Sequence, residues 1–259
     1  MSEKNREGKR AARERLAAER QKQKSAEKRR RTLIVGATVV CVLGLAAVIG
    51  VVAANSGDDS SGSDAAAGPV VAPKGADGKD DLAIPVGKAS AKSTLEIWED
   101  FRCPACKTFE DTYRSTIHDL ADAGELRVQY HLVTLIDANM QGSGSLRAAN
   151  AAACSQTAGK FRDYHDVLYE NQPEETDDAF ANNDKLIELA GKVGGLDTGT
   201  FKSCVNKGTH DSWVNKSYKA FQDAKYSGTP TVRLNGKDIL SDQSLTPAKF
   251  KKMVEEANK

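Results

Sequence analysis

Hydrophobic positions fall into two periods along the C-terminal two thirds of the chain. Residues 94–101, TLEIWEDF, alternate apolar and polar groups and predict a strand. From Pro104 the spacing becomes helical and runs to Ala123, where Gly124 stops it. ELRVQYHLV, residues 125–133, predicts a second strand, and a helix-rich stretch then reaches Tyr226. Its segments are LRAANAAACSQTAGK, ended by Gly159; FRDYHDVLYEN, ended before Pro173; DKLIELAGKV, ended by Gly194-Gly195; and HDSWVNKSYKAFQDAKY. TPTVRLNGKDIL predicts two short strands around Asn235-Gly236, a strong hairpin turn signal. A last helix runs from Thr246, with Pro247 at its first position, to Ala257. The order is β-α-β, a helical block over about residues 138–226, then β-β-α: an α/β fold.

Upstream the pattern differs. Leu33 to Ala54 is a run of 22 residues without a charge, long enough for a helix to cross a hydrocarbon core about 30 Å thick. Lys28-Arg29-Arg30-Arg31 precede it and Asp58-Asp59 follow. The positive-inside rule therefore predicts a basic cytoplasmic tail over 1–31, a transmembrane helix over 32–54, and everything beyond outside the cell membrane. A cleaved signal peptide is the alternative, with Val52-Ala53-Ala54 as small residues for cleavage, although the run exceeds a typical signal core. Either way the body is exported. Residues 55–81, rich in Gly, Ser, Ala, Asp and Pro, predict a flexible linker, which leaves 82–259 as one folded domain.

Composition sharpens this division. The 259 residues carry a net charge of +1, but residues 1–31 hold 13 Lys and Arg against 5 Asp and Glu, so the remainder is acidic. That balance, and the absence of aromatic residues from the tail, argue against nucleic acid as a partner. Five cysteines are too few for a small disulfide scaffold.

The chemistry lies in Phe101-Arg102-Cys103-Pro104-Ala105-Cys106, where a predicted strand gives way to a predicted helix. Cys103 falls at or beside the N-cap, and Pro104 suits a first turn whose N–H would be unpaired anyway. Free N–H groups and the helix dipole favour an anion there, so a Cys103 thiolate is expected. Cys106, one turn on, reads as the more buried, resolving thiol. A zinc ribbon would need a second close pair, but Cys154 and Cys204 stand 50 residues apart; no metal and no organic cofactor is expected. Gly228-Thr229-Pro230-Thr231 puts a proline at a strand start, where cis bonds occur.

Taken jointly, EDFRCPACK, RAANAAAC and GTPTV, residues 99–107, 147–154 and 228–232, resemble the membrane-anchored, actinobacterial type of DsbA-like thiol–disulfide oxidoreductase in the thioredoxin superfamily. The resemblance covers about residues 82–259. It implies a thioredoxin-like fold with an inserted helical subdomain. Cys103 would be the exposed nucleophile, Cys106 the resolving thiol and Pro230 a cis-proline facing them, with Thr229 offering its backbone to an extended client. Phe101, Pro104 and Ala105 would line the site. Exported proteins with free thiols would be the clients, and a membrane quinone reductase of DsbB or vitamin K epoxide reductase type the reoxidant. Two departures stand out. Ala105 occupies a position where the best-known periplasmic oxidants have histidine, and Ile97 occupies the place six before the nucleophile where a buried carboxylate is common. Glu96 and Asp100 are the acids nearest to replace it.

Cys154 and Cys204 lie outside the thioredoxin-like core. In an exported domain they are expected to pair and pin the helical block; independent thiols and a second redox couple are the alternatives. Cys41, within the apolar run, reads as inert, His131 as structural, and Trp98 and Phe109 as core or groove lining. The function expected is introduction of disulfide bonds into exported proteins. A reductase or isomerase with the same site, or an anchored binding or chaperone module with a structural CxxC, are the rivals.

Overall fold

The computed structural model describes residues 69–259. Five strands form one sheet in the order β1-β3-β2-β4-β5. They are β1 (Ile84–Val86), β2 (Ser93–Glu99), β3 (Leu126–Leu132), β4 (Thr231–Leu234) and β5 (Lys237–Asp238). β2 and β3 run parallel, connected by helix α1 (Pro104–Ala123). β1 joins β3, β4 joins β2, and β5 joins β4, all antiparallel. Between β3 and β4 the chain makes α2 (Leu135–Met140), α3 (Gly144–Thr157), α4 (Phe161–Glu170), α5 (Asn183–Ala190), α6 (Gly199–Lys207) and α7 (Asp211–Asp223). α8 (Pro247–Ala257) follows the hairpin, with the Thr246 hydroxyl accepting from Lys249 N as its N-cap.

Strand alternation sorts the sheet into two faces. Leu95 and Ile97 of β2, Val128 and Tyr130 of β3, and Val232 of β4 share one core with Ile117 and Leu120 of α1 and Phe250 and Val254 of α8. The opposite face carries Trp98 and His131, which are paired in register and stacked at 3.9 Å between ring centres, with Phe221 of α7 beside them. Burial pushes the His131 pKa down to about 4, so the ring is neutral and packs as an aromatic plate.

Several sequence expectations need revision. β2 ends at Glu99 rather than residue 101, because the Asp100 carboxylate accepts from Arg102 N at 2.8 Å and turns the chain. β1, α2 and α6 were not resolved as separate elements by the pattern. The flexible linker expected over 55–81 does not extend to residue 81. From Pro69 on the chain lies on the domain, with Val71 O accepting from His210 Nδ1 (2.7 Å), Asp81 O accepting from Trp213 Nε1 (2.7 Å) and Asp77 ion-paired with Arg127. Composition cannot show that the buried side chains of His210, at the N-cap of α7, and Trp213, within it, satisfy those carbonyls. The apolar run of residues 33–54 lies outside the described residues; among the described residues no helix is long and apolar enough to cross a membrane.

Candidate active site

β2 is the central strand of the sheet, and its C-terminal end turns into α1, which carries the two free cysteines at its N-cap and in its first turn. Cys103 is the N-cap of α1, with extended backbone (φ −75°, ψ 118°), and Pro104 occupies the first helical position. Cys103 N donates to Asp100 O at 3.0 Å, while Cys103 O accepts from Lys107 N at 3.2 Å, so the loop and the first helical turn are both closed. Gln172 Nε2 bridges Phe101 O (2.9 Å) and Cys103 O (3.0 Å) from the insertion side.

Across from Cys103 lies the Thr229–Pro230 peptide, which is cis, and Cys103 Sγ stands 3.3 Å from Thr229 O. Pro104 and Ala105 are exposed beside it. Cys103 itself is only 6 % exposed, a correction to the exposed nucleophile expected from the resemblance: the Thr229–Pro230 loop covers its sulfur. Phe101 is also corrected. At 1 % exposure it does not line a groove but sits in the core, edge-on to His165 and tilted against Tyr169.

The two thiols are electrostatically unequal. A hydrogen bond from Cys106, opposed by burial and helped by Thr229 and the N–H groups of Cys106 and Ala105, lowers the Cys103 pKa to about 6. The Thr229 hydroxyl, sealed from solvent with no other partner, is available for that role. Burial and the same bond to Cys103 push the Cys106 thiol well above its ordinary range. Of the two acids expected nearby, Glu96 faces away and pairs with Arg233 at 3.6 Å. Asp100 is fully buried, and that burial raises its pKa to about 7 although Ile136 N and Arg102 N both donate to it.

Two buried networks around the cysteines escaped sequence reading. The Arg102 guanidinium, 3 % exposed, binds Asp137 (2.7 Å), Asp178 (2.8 Å) and Glu175 O (3.0 Å). Asp137 in turn accepts from Ser145 N and Leu146 N, and Asp178 from Ser143 N and Gly144 N, so both carboxylates cap the start of α3. Beneath the site, His165 Nε2 donates to Glu99 Oε1 at 2.8 Å, with fully buried Glu110 beside them. Burial pulls the His165 pKa down, but Glu99, Asp166 and Glu110 outweigh it and leave it raised, so the ring is an imidazolium. Burial drives Glu110 the other way for an acid, upward, and keeps it protonated. The signal for both residues was a polar group inside an apolar stripe: Glu110 among Cys106, Phe109 and Ile117, and His165 among Phe161, Tyr164, Leu168 and Tyr169.

Residues 79–256 match the thioredoxin family model. The chain belongs to the thioredoxin family. Disulfide bond formation protein D of Bacillus subtilis is 29 % identical over 157 residues, 60 % of this chain and 68 % of that protein. The oxidised DsbA of Mycobacterium tuberculosis is 30 % identical, with a TM-score of 0.58 over 68 % of this chain and 92 % of that one. Oxidised BdbD of Bacillus subtilis is 25 % identical, with a TM-score of 0.56 over 72 % and 95 %. Within the family the chain is a DsbA-like thiol–disulfide oxidoreductase. Cys154 and Cys204, expected to pair, form a disulfide between α3 and α6.

Proposed function

We propose that the protein introduces disulfide bonds into exported proteins, using Cys103 and Cys106 as a dithiol–disulfide couple. The observation that carries this reading is the inequality of the two thiols. Cys103 is lowered to about 6 at a helix N-terminus, and Cys106 is raised and fully buried beneath it. In the oxidised enzyme a client thiolate attacks Cys103 Sγ; the S–S bond breaks and Cys106 leaves, taking up a proton. A second client thiolate then attacks the client sulfur of the mixed disulfide and expels Cys103 as a stabilised thiolate. The client loses two electrons and the couple gains two. A low leaving-group pKa speeds that last step and favours the reduced enzyme, which makes the enzyme an oxidant. An extended client is held by backbone pairing along Thr229, a form of strand addition.

The domain acts outside the cell membrane, tethered by residues 32–54. The support is the Lys28–Arg31 cluster ahead of an uncharged run. Electrons leave through a membrane quinone reductase of DsbB or vitamin K epoxide reductase type, the natural class of acceptor for a couple that holds no cofactor of its own. The test is the reduction potential of the Cys103–Cys106 couple against glutathione. A value near about −120 mV is expected for an oxidant; one near about −270 mV would make the protein a reductase.

A further inference from the structure

The Cys154–Cys204 pair has a neighbour that thiol–disulfide exchange at Cys103 does not use. His210, at the N-cap of α7, places a ring nitrogen within 4.8 Å of both sulfurs. His210 is 4 % exposed and Cys154 3 %, while Cys204 is partly exposed, so the cluster is largely buried but reachable from one side. The imidazole is already oriented. Nδ1 stands 2.7 Å from Val71 O, and a carbonyl only accepts, so Nδ1 carries the proton and Nε2 a bare lone pair. Among the described residues nothing donates to Nε2. A neutral histidine with one N–H spent on a backbone carbonyl and the other nitrogen free is the arrangement metal-ligating histidines adopt.

The frame of the cluster does not depend on the S–S bond. Buried Asn150, one turn before Cys154 on α3, accepts from His210 N at 2.9 Å and donates to Val205 O at 3.2 Å. Thr209 N and Oγ1 both donate to Cys204 O at 3.2 Å. Opening the disulfide therefore leaves two cysteines and one histidine converging from α3, α6 and the start of α7.

We propose that Cys154, Cys204 and His210 form a thiolate–imidazole site for a zinc-class divalent cation when the two cysteines are reduced. The donors would be two Cys Sγ and a ring nitrogen of His210, with a fourth position left open. Two thiolates and an imidazole suit a borderline-soft cation and do not suit magnesium or calcium. Every chain is synthesised with these cysteines as thiols, so the dithiol state needs no reductant. Binding displaces the two S–H protons. Oxidation then expels the cation: the two thiolates lose two electrons and join. A disulfide acceptor, such as the oxidised Cys103–Cys106 couple of a second copy, gains two electrons and two protons. The site is thus open to metal before the bridge forms and closed after it, holding the two sulfurs together against mispairing.

The experiment uses the full chain in detergent with Cys41→Ala, Cys103→Ser and Cys106→Ser, so that Cys154 and Cys204 are its only thiols. After anaerobic reduction and removal of reductant, it is titrated with Co2+. One ion per chain is expected, with thiolate-to-cobalt charge-transfer absorption that Zn2+ bleaches and that fails to form in the oxidised protein. His210→Ala should weaken binding by at least about tenfold. If that variant does not fold, His210→Gln, with thermal unfolding checked alongside, replaces it. Absence of the charge-transfer band in the reduced protein, or equal affinity in the folded His210 variant, overturns the proposal.

Discussion

At the scale of single residues, the site works through burial acting on groups a few ångströms apart. With Cys103 lowered to about 6, roughly nine-tenths of it is thiolate at neutral pH. Its alkylation rate should climb as pH rises through about 6 and level off above, where an ordinary thiol would still be climbing. Stopped-flow alkylation of the reduced protein across that range measures it, and a midpoint near the ordinary thiol value would refute the inequality. The partner prediction is covalent. Cys106→Ala removes the resolving thiol and should accumulate mixed disulfides with clients, visible on non-reducing gels, whereas Cys103→Ala should accumulate far fewer. His165 supplies a separate pH signature. Its pKa is raised, so its contribution to stability is complete below the ordinary histidine value of about 6.5 and is lost as pH rises toward about 10. His165→Ala leaves Glu99 buried without its cation, a loss of about 3–5 kcal/mol in that lower range. The deficit relative to wild type, read from urea unfolding, should shrink as the solution is made alkaline.

Between elements, the buried salt bridges of Arg102 are the joint that fixes the cysteine loop to the helical insertion. Arg102→Ala leaves Asp137 and Asp178 facing an empty space and should cost about 3–5 kcal/mol, measured by denaturant unfolding. Arg102→Lys should restore little, because one ammonium cannot serve two carboxylates and the Glu175 carbonyl in a fork. Gly144→Ala should destabilise for a related reason, since a Cβ there meets the Asp178 carboxylate and the Arg102 side chain. None of this was legible in the sequence: Arg102 and Asp178 are 76 residues apart, and Asp177-Asp178 reads as a solvated loop. What was legible was local. α1 was bounded correctly because Pro104 and Gly124 punctuate a helical period, and the β4–β5 hairpin because Asn235-Gly236 forms its turn. β1 was missed because three residues are too few to show alternation. α2 was merged into a helix-rich region because six residues span too few turns to set a period, and α6 because it opens on Gly199 and holds few large apolar side chains among Lys, Ser, Thr and Asn. The cysteine pair of the site was readable from spacing, but its depth was not, since Thr229 reaches it from 126 residues away.

Across the whole molecule, the redox centre and the Cys154–Cys204 bridge stand on different elements, the first on α1 and the second between α3 and α6. The bridge closes a loop of 50 residues, and loop entropy sets an upper guide of about 4 kcal/mol for its contribution. Replacing both cysteines by alanine should lower the melting temperature and leave the Cys103–Cys106 potential unchanged, because the bridge joins α3 to α6 whereas the couple sits at the start of α1. A shifted potential would instead link the two. The proposed orientation rests on sequence outside the folded domain. Four consecutive basic residues, Lys28 to Arg31, abut an uncharged run, and each basic residue near the cytoplasmic leaflet is held by anionic lipid with about 1 kcal/mol. Reversing the segment would carry that cluster through the hydrocarbon core, at roughly 2.5–3.5 kcal/mol for each charge at the centre. The N-terminal tail is therefore expected to stay inside and the catalytic domain to cross. A reporter that folds only outside the cell membrane, fused after Gly62, should be active, and one that works only in the cytoplasm should be silent at the same position. Replacing Lys28, Arg29, Arg30 and Arg31 by glutamate should reduce the first signal by weakening insertion in this direction. Activity of only the cytoplasmic reporter in the unaltered chain would place the Cys103–Cys106 couple among reducing partners, and with it the proposed oxidising role would fail.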